Sequence, residues 1–100
     1  MHLIHGTIAA TNTAQPIVPG AVVPDRIGPF QLLLPQNNGS HNMRFGDSSI
    51  SSTQGLLLYP SSATNPGITP IYPSLAYSGD LSEFWILGTQ NDTYDILILD

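Results

Sequence analysis

Along this chain short apolar runs alternate with clusters of Gly, Pro, Asn, Ser and Asp, and no stretch keeps a helical period for three turns. Runs this short, bounded by turn residues, predict the strands of an all-β sandwich or barrel. "HLIHGTIA" predicts a strand over His2 to Ala9, with Leu3 and His5 on one face and Ile4 and Ile8 on the other. "FQLLL" predicts another over Phe30 to Leu34, with Phe30, Leu32 and Leu34 pointing one way. "QNNGSHN" then reads as a turn of the kind Asn and Gly make. Met43 to Phe45 and Ser48 to Thr53 are expected to flank a Gly46-Asp47 corner. Leu56 to Tyr59 follows Gly55 and stops at Pro60. The one helix-start signal is Asp80-Leu81-Ser82-Glu83, with capping-box spacing. The β-forming "FWIL" follows it, so a single tight turn is the most it predicts.

Two segments interrupt this pattern. Residues 11–29 carry Pro16, Pro19, Pro24 and Pro29, which limits "IVPGAVV" to extended edge material. Residues 60–80 form a long stretch with Ile68, Ile71, Tyr72, Leu75 and Tyr77, too apolar for a solvated linker, and read as a contact loop. The closing "EFWILGTQNDTYDILILD" predicts a hairpin joined by Gln90-Asn91-Asp92. Here both faces are apolar. Phe84 and Ile86 share one and Trp85 and Leu87 the other; on the partner strand, Ile96 and Ile98 oppose Leu97 and Leu99. An antiparallel strand with one solvated face needs apolar residues on one side only. Leaving three or four such side chains in water would forgo about 5–10 kcal/mol, comparable with the whole stability of a small domain. The second face therefore calls for a cover, either the 60–80 loop or a neighbouring subunit. Trp85, Leu87, Leu97 and Leu99 are the candidates for that covered face. Ile17 to Val23, with Ile17, Val18, Val22 and Val23 as its apolar residues, is a candidate docking arm.

Composition narrows the function classes. A chain of 100 residues fits one domain with a modest core, which favours oligomerisation. The net charge is -5, there is no lysine, and Arg26 and Arg44 are the only strong cations. Nucleic-acid binding and electrostatic attachment to an anionic membrane both need more positive charge than that. The absence of cysteine removes disulfides and thiolate metal sites. "MHLIHGTIAA" lacks the basic start and apolar core of a secretory signal. No apolar run approaches the roughly 20 residues that span a bilayer. These features predict a soluble protein made in the cytoplasm that works there or within an assembly.

Candidate chemistry is sparse. Gly46-Asp47-Ser48 begins like the nucleophile block of one esterase group, but an esterase would need a histidine to activate Ser48 and an acid to orient it. No histidine follows His41 and no helices are predicted, so the block reads as a turn. His2 and His5 lie three apart on a strand and so face opposite ways; together with His41 in a turn, they read as exposed histidines, not as ligands. "NDTYD" offers Asp92 and Asp95 without the order of a calcium loop. Tyr59, Tyr72, Tyr77 and Trp85 could build a sugar-stacking platform only if exposed, and Trp85 sits in a buried-looking strand. No nucleotide-binding Gly-rich loop is present. No catalytic, cofactor or metal site is expected.

At "MRFGDSSISSTQGLLLYPSSA" followed by "LSEFWILGTQNDTYDILILD", the chain resembles the small accessory structural proteins of tailed bacteriophages, the cement or decoration proteins of the capsid exterior. The resembling features are the Arg44-Phe45-Gly46-Asp47 corner, the run from Gly55 to Pro60, and the Leu81-Ser82 turn. The strands from Phe84 to Leu99 and the early Gly6-Thr7 belong with them. It does not cover residues 11–29, and Ser61 stands where those proteins usually carry a Gly. The resemblance implies a β-sandwich, often of jelly-roll type, commonly trimeric, that binds the major capsid protein on the virion exterior without catalysis. Similar modules serve in phage tails and spikes, where the partner is a host receptor or carbohydrate.

Overall fold

The computed structural model describes residues 2–17, 32–61 and 83–99. Most of the 11–29 segment, the 60–80 stretch beyond Ser61, and Asp80 to Ser82 lie outside them. Seven strands run through the described residues: β1 (His2–Thr7), β2 (Gln15–Pro16), β3 (Leu32–Asn37), β4 (Met43–Gly46), β5 (Leu56–Leu58), β6 (Trp85–Leu87) and β7 (Thr93–Leu99). No α-helix occurs among the described residues. The strands form two antiparallel sheets, one in the order β1-β7-β3 and one in the order β2-β6-β4-β5. A single apolar core joins them. Ile4, Leu33, Tyr94, Ile96 and Ile98 enter it from the first sheet, and Met43, Phe45, Leu58 and Ile86 from the second, with Ile8 and Ile17 alongside. The protein is all-β, with two sheets packed face to face in a sandwich-like arrangement.

β1 follows its alternation as read: Ile4 and Ile8 are buried, Leu3 and His5 exposed. β3 continues past the expected end at Leu34, through Pro35 to Asn37. A proline has no N–H for the ladder, which confines it to edge strands or bulges. β3 is an edge of its sheet, and so is β2, which holds Pro16.

Two expectations are corrected. Ser48 to Thr53 is not a strand. Ile50 N donates to Asp47 O at 3.2 Å, and Ser51 pairs with Gln54 in an isolated bridge. The Asp47 carboxylate takes the Ser49 N–H at 2.8 Å, the local side-chain alternative that draws a backbone out of a ladder. Second, β6 and β7 are not a hairpin, because each pairs within a different sheet. Residues 88–92 carry the chain across from one layer to the other. Asp92 N donates to Thr89 O at 3.0 Å, and Asn91 adopts φ 75°. Further groups of the turn bond to the chain just after β1 instead of closing a two-stranded ladder: Asn91 N donates to Ile8 O at 3.0 Å, Ile8 N to Asp92 O at 2.8 Å, and Gln90 N to Thr11 Oγ1 at 3.0 Å.

Asn37 ties the layers together. It is fully buried, and its Nδ2 donates to His41 O at 2.6 Å and to Leu58 O at 3.0 Å, while its Oδ1 accepts from Gly39 N at 2.8 Å. One side chain on β3 thereby fixes the 38–42 loop and the end of β5. Gly6 lies opposite Tyr94 in the ladder, and a Cβ at position 6 would collide with the Tyr94 ring. That close approach lets the buried tyrosine sit directly against Gly6 of β1.

Candidate functional site

With Ile4, Leu33 and Ile96 turned inward, the residues beside them face out from the three-stranded sheet. Leu3 pairs with Leu97, and Leu97 with Leu34, so three leucines stand in one row across β1, β7 and β3. Leu3 is 62% exposed, and Leu34 and Leu97 are half-buried. The next row is polar: His5, Asp95 and Gln36. His5 Nδ1 lies 2.5 Å from Asp95 Oδ1, and Asn38 Nδ2 donates to Asp95 Oδ2 at 2.6 Å. An open groove of about 250 Å³ runs between the rows, lined by Leu3, Leu34, Leu97, Gln36 and Asp95. An apolar strip beside a hydrogen-bonded polar border is the layout of a protein contact surface, with its dry centre and wet rim.

The four residues expected on one covered face do not share one. Leu97 is on the outer face of the three-stranded sheet. Trp85 and Leu87 are on the outer face of the four-stranded sheet, on the opposite side of the core, where Leu87 and Leu57 flank Arg44. Leu87 is 4% exposed, so the chain covers it without a partner, and Trp85 is half-buried. Leu99 pairs with Leu32 at the end of β7, and its side chain lies outside the described residues. Ile17 is corrected too: it is fully buried in the core and its N–H bonds to Phe84 O, so it is not part of a docking arm. Val18, Val22 and Val23 lie outside the described residues.

Asp47 and Asp92 are engaged in holding backbone. The Asp47 carboxylate accepts from Ser49 Oγ and Ser49 N, which holds its pKa below the usual value of 3.8. That carboxylate serves Ser49 and not Ser48, and each histidine whose side chain is described is paired with an aspartate: His5 with Asp95 and His41 with Asp92. Asp92 Oδ2 also accepts from Ser40 N at 3.3 Å and His41 N at 3.2 Å. Burial pushes the Tyr94 hydroxyl above its ordinary value of 10.0, and a hydrogen bond with Gln15 partly offsets the rise. Tyr59 is exposed, but the stacked ring pair of the described residues is Phe45 on Phe84, with Phe45 buried. Tyr72 and Tyr77 lie outside the described residues.

Sequence reasoning missed Leu34 and Asn37. Leu34 sits two positions from Gln36, a polar residue that marks the outward face once β3 is continued past Pro35. Asn37 gave no such signal, since Asn in "QNNG" reads as turn chemistry. Comparison with protein-family models, curated proteins and solved structures returns no match.

Proposed function

We propose that this chain is a non-enzymatic structural protein of a tailed-bacteriophage virion, which stabilises the head by bridging capsid subunits as a homotrimer. The observation that carries the reading is the outward row of Leu3, Leu97 and Leu34. A buried leucine is worth roughly 1.5–3 kcal/mol, so leaving these three on the surface makes sense where a partner covers them. One row is small against the roughly 800 Å² per partner of a standard interface. Multivalent attachment of a trimer makes up that shortfall, because the second and third contacts form at high effective concentration. The resemblance of the Arg44 to Pro60 and Leu81 to Leu99 stretches to decoration proteins names the partner, the major capsid protein. The engagement of Asp47 and Asp92 in backbone support, and of His5, His41 and Asp95 in side-chain pairs, accords with a role without catalysis.

The test is re-addition of purified protein to stripped particles. Binding with a raised particle melting temperature is expected, and it should be lost in the Leu3→Gln/Leu97→Asn double variant while that variant's own melting temperature stays close to the parent's. Wild-type protein that neither binds nor stabilises particles overturns the reading. A glycan-array signal abolished by Tyr59→Ala would instead favour a tail or spike module that binds carbohydrate.

A further inference from the structure

Asn38-Gly39 is the one Asn-Gly pair in the chain. In such a pair the glycine nitrogen can attack the preceding side-chain amide, because no Cβ hinders its approach. The fold both requires this pair and immobilises it. A Cβ at position 39 would sit 2.5 Å from Cβ and Cγ of Asp92, so only glycine fits. At position 38 the amide Nδ2 donates to Asp95 Oδ2 at 2.6 Å, where a carboxylate would face another carboxylate. The nitrogen that would attack, Gly39 N, donates instead to Asn37 Oδ1 at 2.8 Å, and Asn37 is itself fully buried. On either side, Asn38 N is held by Thr93 O at 3.0 Å, and Ser40 N and His41 N by Asp92 Oδ2. Every backbone N–H from position 38 to 41 is engaged.

We propose that Asn38-Gly39 is a deamidation site which the native fold keeps latent, and whose reaction, once it has occurred, stops the 38–42 loop from closing again. When the loop opens, hydroxide removes the Gly39 N–H proton and the freed electron pair closes on Asn38 Cγ. The Cγ–Nδ2 bond breaks, and the amide nitrogen takes a proton from water and leaves as ammonia. Water then opens the cyclic imide at one carbonyl or the other, giving aspartate or isoaspartate at position 38. Aspartate sets a second carboxylate against Asp95, and like charges at hydrogen-bond distance repel. Isoaspartate lengthens the backbone by one carbon and moves Gly39 off Asp92.

The experiment incubates the intact chain in mildly alkaline buffer with and without urea, then measures aspartate and isoaspartate at position 38 by peptide mapping. Asn12-Thr13 and Asn91-Asp92 serve as internal references. Conversion at 38 is expected to be at least about tenfold slower in the folded chain, since reaction waits on local opening. Equal rates with and without urea overturn the proposal. A second arm compares hydrogen exchange in wild type and Asn38→Asp. Gly39 and Ser40 amides are expected to exchange about tenfold faster in the variant while Ile96 in the core is unchanged; unchanged exchange at 39 and 40 overturns the claim that the product holds the loop open. The wild-type time course needs no variant, so it decides the first claim even if Asn38→Asp does not fold.

Discussion

Replacing Asn37 by alanine would orphan the His41 and Leu58 carbonyls and the Gly39 N–H together. The expected loss is about 2–4 kcal/mol, read from urea unfolding; a loss below about 0.5 kcal/mol would show that water replaces the amide there. Gly6→Ala drives a methyl group into the Tyr94 ring, and overpacking of this kind costs about 1–3 kcal/mol. Tyr94 also predicts an alkaline limb of stability. Its folded pKa is raised above 10.0 by burial, so the unfolded chain releases the proton first. Stability from the protonated hydroxyl is complete below pH 10.0 and falls as pH rises toward the folded value. Tyr94→Phe should flatten that part of the melting-temperature profile. Asp47 works in the opposite sense. Its folded pKa is lowered, so its contribution is present above 3.8 and disappears as pH falls through the folded value. An NMR titration should find this carboxyl below that of Asp47 in a Ser49→Ala variant.

β7 lies at the centre of its sheet, and its two faces serve different ends. Tyr94, Ile96 and Ile98 enter the core, while Thr93, Asp95 and Leu97 face out. Ile96→Ala should cost about 2–5 kcal/mol through the cavity it leaves. Leu97→Asn should change stability by no more than about 1 kcal/mol and yet abolish particle binding. The contrast, measured by melting temperature and by co-sedimentation with particles, separates the two faces. β1 was legible because polar His5 and Thr7 mark its outer side. On β7 the same kind of mark was present in Thr93 and Asp95, but two isoleucines and two leucines in a row obscured it. The apparent hairpin failed for another reason. A five-residue connection fits both a hairpin and a crossing between layers, and the letters do not say which backbone will accept the turn's hydrogen bonds. Here the residues after β1 accept them. β3 runs past its expected end because Pro35, which looks like a stop in the sequence, is tolerated on an edge strand.

The fold class was readable from short runs and frequent turn residues, while the outward row of Leu3, Leu97 and Leu34 was not, because it is assembled from β1, β3 and β7, which are distant in sequence. Protomers that each carry a net charge of -5 repel one another, and salt screens that repulsion. The proposed trimer should therefore strengthen with added salt in sedimentation velocity, the reverse of an association held by ion pairs; weakening with salt would point to paired charges at the contact. Among the described strands, the prolines bear on how far such contacts can spread. Each sheet ends on one side in a strand that carries a proline, β2 or β3, and on the other in one that does not, β5 or β1. A neighbour adding a strand finds a full set of donors on one flank of each layer and a gap on the other. Edge-to-edge recruitment is thereby confined to β1 and β5, the two proline-free flanks among the described strands.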